Sequence, residues 1–148
     1  MEDKKVHSFV KHHIHLRYLF DPAEMSFVIQ LLHLDYLRQS GYRTAYSREF
    51  MYDYFQLKER TFNRCLRRLS QLGLIERVKD GLYVDYRLNR EVYNRLLDIL
   101  HVTNNFAIIS NFCKEQFEMR GRTVESITDE EVEQLRLRGS EARPLSIY

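Results

Sequence analysis

One segment, residues 58–73, constrains the fold more than any other part of the sequence. Its apolar residues recur at intervals of three and four, the spacing that places side chains on one face of an α-helix. They are Phe62, Cys65, Leu66, Leu69 and Leu72. Gly73 follows, and glycine suits the left-handed conformation that ends many helices. The segment therefore predicts an amphipathic helix over residues 58–72 with its apolar face buried in a core.

The polar face of this helix is strongly basic. Four arginines lie between residues 60 and 68, although the whole chain has a formal net charge of only +2. The face carries Arg60, Thr61, Asn63, Arg64, Arg67, Arg68 and Gln71, and Lys58 stands at its start. Because burial of the apolar face turns the opposite face toward solvent, we expect the guanidinium groups to project together as an accessible cationic edge.

A short helix and a tight turn precede the basic helix. Ser47 can cap a helix that runs through Phe55, and residues 56–58 then form the turn. Two helices joined by three residues must cross steeply, and Leu57 in the turn can fill the gap between them. The sequence therefore predicts two packed helices with the basic one second.

A hairpin follows the basic helix. The stretch LIERVKDGLYVDYRL predicts two strands joined by Asp80 and Gly81, since an Asp-Gly pair between strand-forming runs is a strong hairpin signal. Two more cations, Arg77 and Lys79, lie in its first strand.

The helix before this group has a clear start. In DPAE, Asp21 can act as the N-cap, Pro22 fits the first helical position, and Glu24 completes a capping box. We expect a helix over about residues 22–38, closed by Gly41, with GYRTAY as a loop. Its apolar residues occupy nearly every face, which predicts a central helix covered on several sides.

The order of helix, short helix, turn, basic helix, glycine and hairpin resembles the winged helix-turn-helix family. It is similar in particular to the N-terminal domains of phage-type replication initiators and to bacterial winged-helix transcription regulators. The resemblance covers roughly residues 9–88 and is carried by FMYDYFQLKERTFNRCLRRLSQLGLIER. It implies an α+β, mostly α-helical fold, in which residues 21–88 form a three-helix core with a two-stranded wing, extended by C-terminal helices. It also implies sequence-specific binding of double-stranded DNA, by a transcription regulator or a replication-initiation component.

The cations and amides divide into two expected DNA-binding roles. The chemistry of four side chains suits base edges in the major groove, and these are Thr61, Asn63, Arg64 and Arg67. Five are better placed for phosphates, and these are Lys58, Arg60, Arg68, Arg77 and Lys79. Neutralising roughly five phosphates would make the slope of log affinity against log salt about −4 to −5.

Two other interpretations of the same segment stay open. A basic face opposite an apolar stripe can be merely solvated, and a winged helix can serve as a protein-protein interaction module without DNA binding. The nearby aromatic residues Phe50, Tyr52, Tyr54 and Phe55 could form a base-stacking platform. We prefer the interpretation in which Phe50, Tyr54 and Phe55 pack under the neighbouring helices.

Two further helices are expected after the hairpin, over residues 89–121. Asn89 can cap REVYNRLLDILH, and NNFAIISNFCKEQFEMRG predicts one last long helix. Their apolar stripes either complete the core or join a homodimer that would place two basic helices about one DNA turn apart. Residues 122–148 read as an acidic, weakly ordered tail, although Thr128 and Glu131 form a capping box that predicts a weak helix.

The remaining features of the sequence argue against several other classes of protein. Residues 1–20 read as an N-terminal arm with a strand, and His7, His12, His13 and His15 fit a surface arm better than a metal site. Both cysteines lie among apolar neighbours, as reduced core residues do. With neither a secretory leader nor a membrane span recognisable, we expect a cytoplasmic protein. No nucleophile motif, phosphate loop or metal signature is present, so we expect neither catalysis nor a cofactor.

Overall fold

The computed structural model describes residues 14–141, which divide into two compact units. One unit comprises residues 21–93, and the other comprises residues 14–20 together with residues 94–141. The expected wing-bearing domain, residues 21–88, falls within the first unit. His7, His12 and His13 lie outside the described residues.

The fold is α+β and mostly helical, with one two-stranded antiparallel sheet, so the predicted fold class is confirmed at this level. The first unit begins with helices α1 (Pro22–Gln39), α2 (Arg48–Phe55) and α3 (Glu59–Leu72) and strands β1 (Ile75–Asp80) and β2 (Tyr83–Leu88). Helices α4 (Arg90–Leu100), α5 (Phe106–Cys113) and α6 (Asp129–Glu141) follow, and the boundary between the units lies inside α4.

Helix α1 begins at the predicted capping box. The Asp21 carboxylate accepts the backbone N–H of Glu24 at 2.8 Å, and the Glu24 carboxylate accepts the backbone N–H of Asp21 at 3.0 Å. The two bonds satisfy N–H groups that have no partner inside the helix. Buried side chains line one side of α1, whereas Met25, Ile29 and Leu37 are half-buried, so the helix is less completely covered than the sequence predicts.

Helices α2 and α3 have the predicted caps and the predicted turn between them. Ser47 accepts the N–H of Phe50 at 3.2 Å and so begins α2. Gln56 ends it in the left-handed conformation, at a φ of 55°, which is uncommon for a residue other than glycine. Helix α3 ends at Gly73 with a φ of 83°. The three residues between the helices therefore reverse the chain sharply.

Aromatic rings form the centre of the first unit. The ring centroid of Phe62, on α3, lies 5.0 Å from that of Phe27, 5.1 Å from that of Phe55 and 5.5 Å from that of Tyr86. All four side chains are at most 1% exposed. These contacts connect α1, α2, α3 and β2, and they confirm the predicted buried face of α3.

The hairpin is as expected, but its turn lies one residue later. Asp80 pairs with Tyr83, so the two loop residues are Gly81 and Leu82 rather than Asp80 and Gly81. Gly81 has a φ of 63°, as the first loop position of a type II′ turn requires. The correct register could not be read from the Asp-Gly pair alone, because both alignments put a glycine in the turn.

The predicted loop GYRTAY contributes an isolated β-bridge beside the two-stranded sheet. Tyr46 forms this antiparallel bridge with Val84, through backbone hydrogen bonds of 3.2 and 2.9 Å. Strand β2 therefore has partners on both edges, β1 on one and Tyr46 on the other, whereas among residues 14–141 β1 pairs with β2 alone. The bridge fixes the α1–α2 connection to the sheet.

Buried Asp85 ties β2 to α1 and to the same connection. Its carboxylate accepts hydrogen bonds from Arg38 at 2.9 and 3.2 Å, from Thr44 at 2.9 Å and from Arg87 at 3.1 Å. Burial alone would raise the pKa of Asp85, but these donors outweigh it and hold the pKa below its usual value of 3.8.

Helix α4, whose residues divide between the two units, buries the predicted stripe of apolar residues, and Asn89 caps it by accepting the N–H of Val92 at 3.3 Å. The last long helix is instead composite, since α5 continues as the π-helical segment Lys114–Met119. A predicted core residue, Phe106, is 48% exposed.

The C-terminal segment contains a helix that begins at a capping box. Thr128 and Glu131 make the predicted capping box, with backbone bonds of 3.1 Å, and begin helix α6. Leu135 and Gly139 on this helix are buried. Few apolar residues suffice here, because Gly139 lets the helix backbone approach Thr103 closely.

The N-terminal arm also differs from the predicted strand. Residues 14–16 are helical and a turn follows through residue 19. His15 is half-buried, and its ring stacks on that of His101 at 3.8 Å, so it is not part of an exposed arm.

Residues 14–141 contain neither a membrane-spanning helix nor a group of metal ligands. Among the helices described there, none combines the length and the apolar content that crossing a bilayer demands. No three of their His, Cys, Asp or Glu side chains come together as metal ligands would.

Replacing Asp85 by Asn should lower the free energy of unfolding by about 2 kcal/mol at pH 7, because charge-assisted bonds to a buried carboxylate are lost. Since the pKa of folded Asp85 is depressed, this stabilisation is present above the unfolded value of 3.8 and fades as pH falls through the folded value. Urea titrations of parent and variant should therefore begin to converge as pH falls below 3.8 and should agree once the pH lies below the folded pKa of Asp85. Exposed Asp53→Asn is the control, and a loss as large in that variant would contradict the assignment.

Replacing Gly139 by Ala tests the docking of α6. Alanine normally stabilises a helix interior by about 1 kcal/mol relative to glycine. Here a methyl group would lie within 3.0 Å of the Thr103 side chain. We expect the opposite sign, a loss of about 1–3 kcal/mol measured by thermal unfolding, because overpacking forces neighbours apart. Stabilisation by Gly139→Ala, with exposed Ser140→Ala neutral, would show that α6 is not docked.

Candidate functional site

The outward face of α3 retains part of the predicted cationic edge. Arg60 and Arg67 are exposed, seven residues apart on the side opposite Phe62. Within residues 14–141, neither guanidinium has a carboxylate at ion-pair distance, and the same holds for exposed Lys58 before the helix. These three side chains therefore present uncompensated positive charge to solvent.

Two of the four arginines are turned back toward carboxylates, against the expectation that all four project together. Arg64 Nη1 lies 2.9 Å from Asp21 Oδ2 and 3.5 Å from Glu24 Oε2. Arg68 Nε lies 3.9 Å from the same Glu24 oxygen, and its side chain is only 15% exposed. The reason is that the capping box of α1 lies beside α3, so its two carboxylates meet this flank of the helix.

These ion pairs change the electrostatics of the flank. Hydrogen bonding to Asp21 raises the pKa of Arg64 above its usual value, so the guanidinium stays charged. Burial raises the pKa of Glu24, and the backbone N–H of Asp21 together with both arginines opposes that rise. The Arg64 side chain remains 46% exposed, whereas that of Glu24 is 9% exposed. Arg64 is thus anchored at one end and open to solvent at the other.

The other predicted site residues lie in mixed surroundings. Thr61 and Asn63 are half-buried on α3. Arg77 and Lys79 are exposed on β1, opposite Tyr86 and Val84 of β2 respectively. Residues directly opposite in an antiparallel pair share a face of the sheet, so both cations lie on the face that carries buried Tyr86. The outer strand of the hairpin, β1, therefore contributes two exposed cations.

The aromatic residues of α2 do not all pack under neighbouring helices. Phe55 is buried as expected, but Phe50 is 43% exposed. Its ring stacks on that of Tyr46 at 4.2 Å and lies 6.4 Å from that of Tyr54. Tyr54 in turn hydrogen-bonds His33. The three rings of Tyr46, Phe50 and Tyr54 therefore form a row at the surface.

Sequence reasoning missed one cation beside this row. Arg43 lies over the rings of Tyr46 and Tyr83, at 5.2 and 4.5 Å from their centroids. The spacing of Tyr46, Phe50 and Tyr54 at four-residue intervals was a visible signal for a continuous row. The contact with Tyr83 depends on the strand bridge and had no local signal.

Comparisons with family models, curated proteins and solved structures give no match to the chain. Function must therefore be argued from the surface itself.

The burial of Cys65 tests the orientation of α3. Burial raises the pKa of its thiol to about 11, with Arg64 opposing the rise. At pH 8 the thiolate fraction should be about 100-fold below that of an ordinary cysteine, so alkylation of the native protein should be slow. Arg67→Cys, on the outward face, should add one rapidly alkylated thiol. Equal alkylation rates at positions 65 and 67, read by mass spectrometry, would contradict this orientation.

Proposed function

We propose that residues 21–93 form a winged helix-turn-helix domain that binds double-stranded DNA through α3. Three features support the proposal. Helices α2 and α3 are joined by three residues, the apolar face of α3 is buried, and a two-stranded hairpin follows directly. This element order matches the resemblance that the sequence carries.

The observation that carries the proposal is the pair of exposed, unpaired arginines on α3. Seven residues along a helix span roughly 10 Å, so Arg60 and Arg67 form a short basic ridge. A ridge of helix width fits the major groove of B-DNA. No described carboxylate neutralises either guanidinium, which leaves both available for phosphates or base edges.

The set of phosphate-binding residues differs by one from the sequence-based set. Arg68 is withdrawn onto Glu24, whereas Arg67 is exposed. The five available cations are Lys58, Arg60, Arg67, Arg77 and Lys79. The slope of log affinity against log salt should therefore still be about −4 to −5.

In the cell, such a domain would act as a transcription regulator or as a replication-initiation component. A homodimer formed through the C-terminal helices would present two α3 helices to a palindromic site. Both statements extend the resemblance, and both follow only if α3 binds DNA.

A second candidate function is a protein-protein interaction module. It is favoured by exposed apolar side chains of the same unit, since clusters of such residues mark partner surfaces. They include Tyr42 at 66%, Phe50 at 43%, Leu82 at 96% and Tyr83 at 43% exposure. This candidate predicts no salt-dependent affinity for duplex DNA.

Alanine substitutions on α3 test the DNA-binding proposal. Each of Arg60→Ala and Arg67→Ala should make the salt slope less steep by about 0.9, because one phosphate contact is lost. Binding to a duplex selected from random sequences would be measured by fluorescence anisotropy between 50 and 200 mM salt, a range over which five phosphate contacts should change affinity by roughly 500-fold. Exposed Arg138→Ala, in the other unit, is the control. Equal slopes in all four proteins would contradict binding through α3 and favour the interaction module.

A further inference from the structure

The contact between Arg64 and the start of α1 uses only part of each group. Of the Arg64 nitrogens, only Nη1 meets the carboxylates of Asp21 and Glu24. No residue in the described part of the chain accepts a hydrogen bond from Arg64 Nε or Nη2. The Nε–Nη2 edge, which presents two parallel N–H donors, is therefore open on a side chain that is 46% exposed.

The carboxylates that hold Nη1 are themselves fixed. Asp21 uses Oδ1 to accept the N–H of Glu24 and Oδ2 to bind Arg64. Glu24 uses Oε1 to accept the N–H of Asp21 and Oε2 to bind Arg64. Each carboxylate is thus held by the backbone through one oxygen and holds the arginine with the other. The helix cap becomes a rigid support for one guanidinium.

We propose that Asp21 and Glu24 are positioning residues that aim the Nε–Nη2 edge of Arg64 at a guanine in the bound DNA. The proposal rests on the DNA-binding function proposed above. Guanine presents O6 and N7 as paired acceptors in the major groove, and a bidentate arginine is the commonest specific contact to them. A guanidinium already fixed on one side loses less conformational freedom when it forms that contact.

Charge separates Arg64 from the other arginines of α3. Two carboxylates offset most of its positive charge, so it adds little to the attraction for phosphates. Arg60 and Arg67 keep their full charge and serve affinity. Arg68 is too covered, at 15% exposure, to reach a groove. On α3, Arg64 therefore provides sequence discrimination, whereas Arg60 and Arg67 provide non-specific attraction.

The capping residues allow the positioning role to be tested without breaking the helix. Asn is as good an N-cap as Asp, and Gln replaces Glu in a capping box. Asp21→Asn and Glu24→Gln therefore remove charge and keep the cap. Glu133→Gln, an exposed carboxylate paired with Arg136 in the other unit, is the matched control. Thermal unfolding of each variant would establish that the fold is intact.

The experiment measures discrimination rather than affinity alone. A site is selected from random duplexes with the parent protein, and each of its guanines is replaced in turn by 7-deazaguanine, which lacks the N7 acceptor. At one guanine the parent should lose roughly 10- to 150-fold in affinity, because one hydrogen bond from a charged donor is lost while O6 remains. Arg64→Ala should lose no affinity at that substitution.

In Asp21→Asn, the affinity ratio between the guanine and 7-deazaguanine duplexes should fall toward 1. At the same time its salt slope should become steeper by about 0.9, because the released guanidinium can reach one more phosphate. The Glu24→Gln variant should shift both quantities in the same directions, and Glu133→Gln should match the parent.

Each other outcome overturns the inference in a distinct way. If Asp21→Asn keeps the full ratio, Asp21 does not position Arg64, although the proposed function stands. If it binds both duplexes more tightly with an unchanged ratio, the carboxylates mask Arg64 instead of aiming it. If no guanine is sensitive, Arg64 reads no guanine. If the parent binds no duplex at low salt, the proposed function fails together with the inference.

Discussion

The packing of the Phe62 ring against Phe27, Phe55 and Tyr86 is the contact on which the first unit depends. It joins α3 to two other helices and to the sheet, and it leaves α3 one possible rotation about its axis. Since side chains on a helix are spaced by 100° per residue, that rotation also decides which polar residues meet solvent. Arg60 and Arg67 are outward because Phe62 is inward.

A second interaction modifies this simple rule. Burial of one face of α3 determines which way its other side chains point, but not which groups they contact. The flank of α3 meets the cap of α1. Asp21 and Glu24 therefore have two roles, because their carboxylates accept hydrogen bonds from N–H groups at the start of α1 and also bind Arg64. The exposed pair contributes little stability in water, because solvent screens it. Its consequence is geometric: Arg64 is held in place, whereas Arg60 and Arg67 have no carboxylate at ion-pair distance among residues 14–141.

Local signals explain what the sequence could predict. The caps at Asp21, Ser47 and Gly73 depend on neighbours within a few residues, and the structure has all three. The features that prediction missed join distant residues. Arg64 and Asp21 are 43 positions apart, and the bridge between Tyr46 and Val84 depends on the whole sheet. Likewise, no local pattern predicts that Gly139 in an acidic helix packs against Thr103. The candidate site was therefore predictable as a helix face but not as a set of free and paired charges.

We propose that the outward face of α3 is the surface that meets DNA. It is tested most directly by nuclear magnetic resonance of the arginine Nε–Hε groups, observed while the selected duplex is added at low salt. We predict that the signals of Arg60, Arg64 and Arg67 shift together, whereas those of Arg122 and Arg136 in the other unit stay in place. A shift confined to Arg43, which lies over the rings of Tyr46 and Tyr83, or no shifts at all, would contradict it.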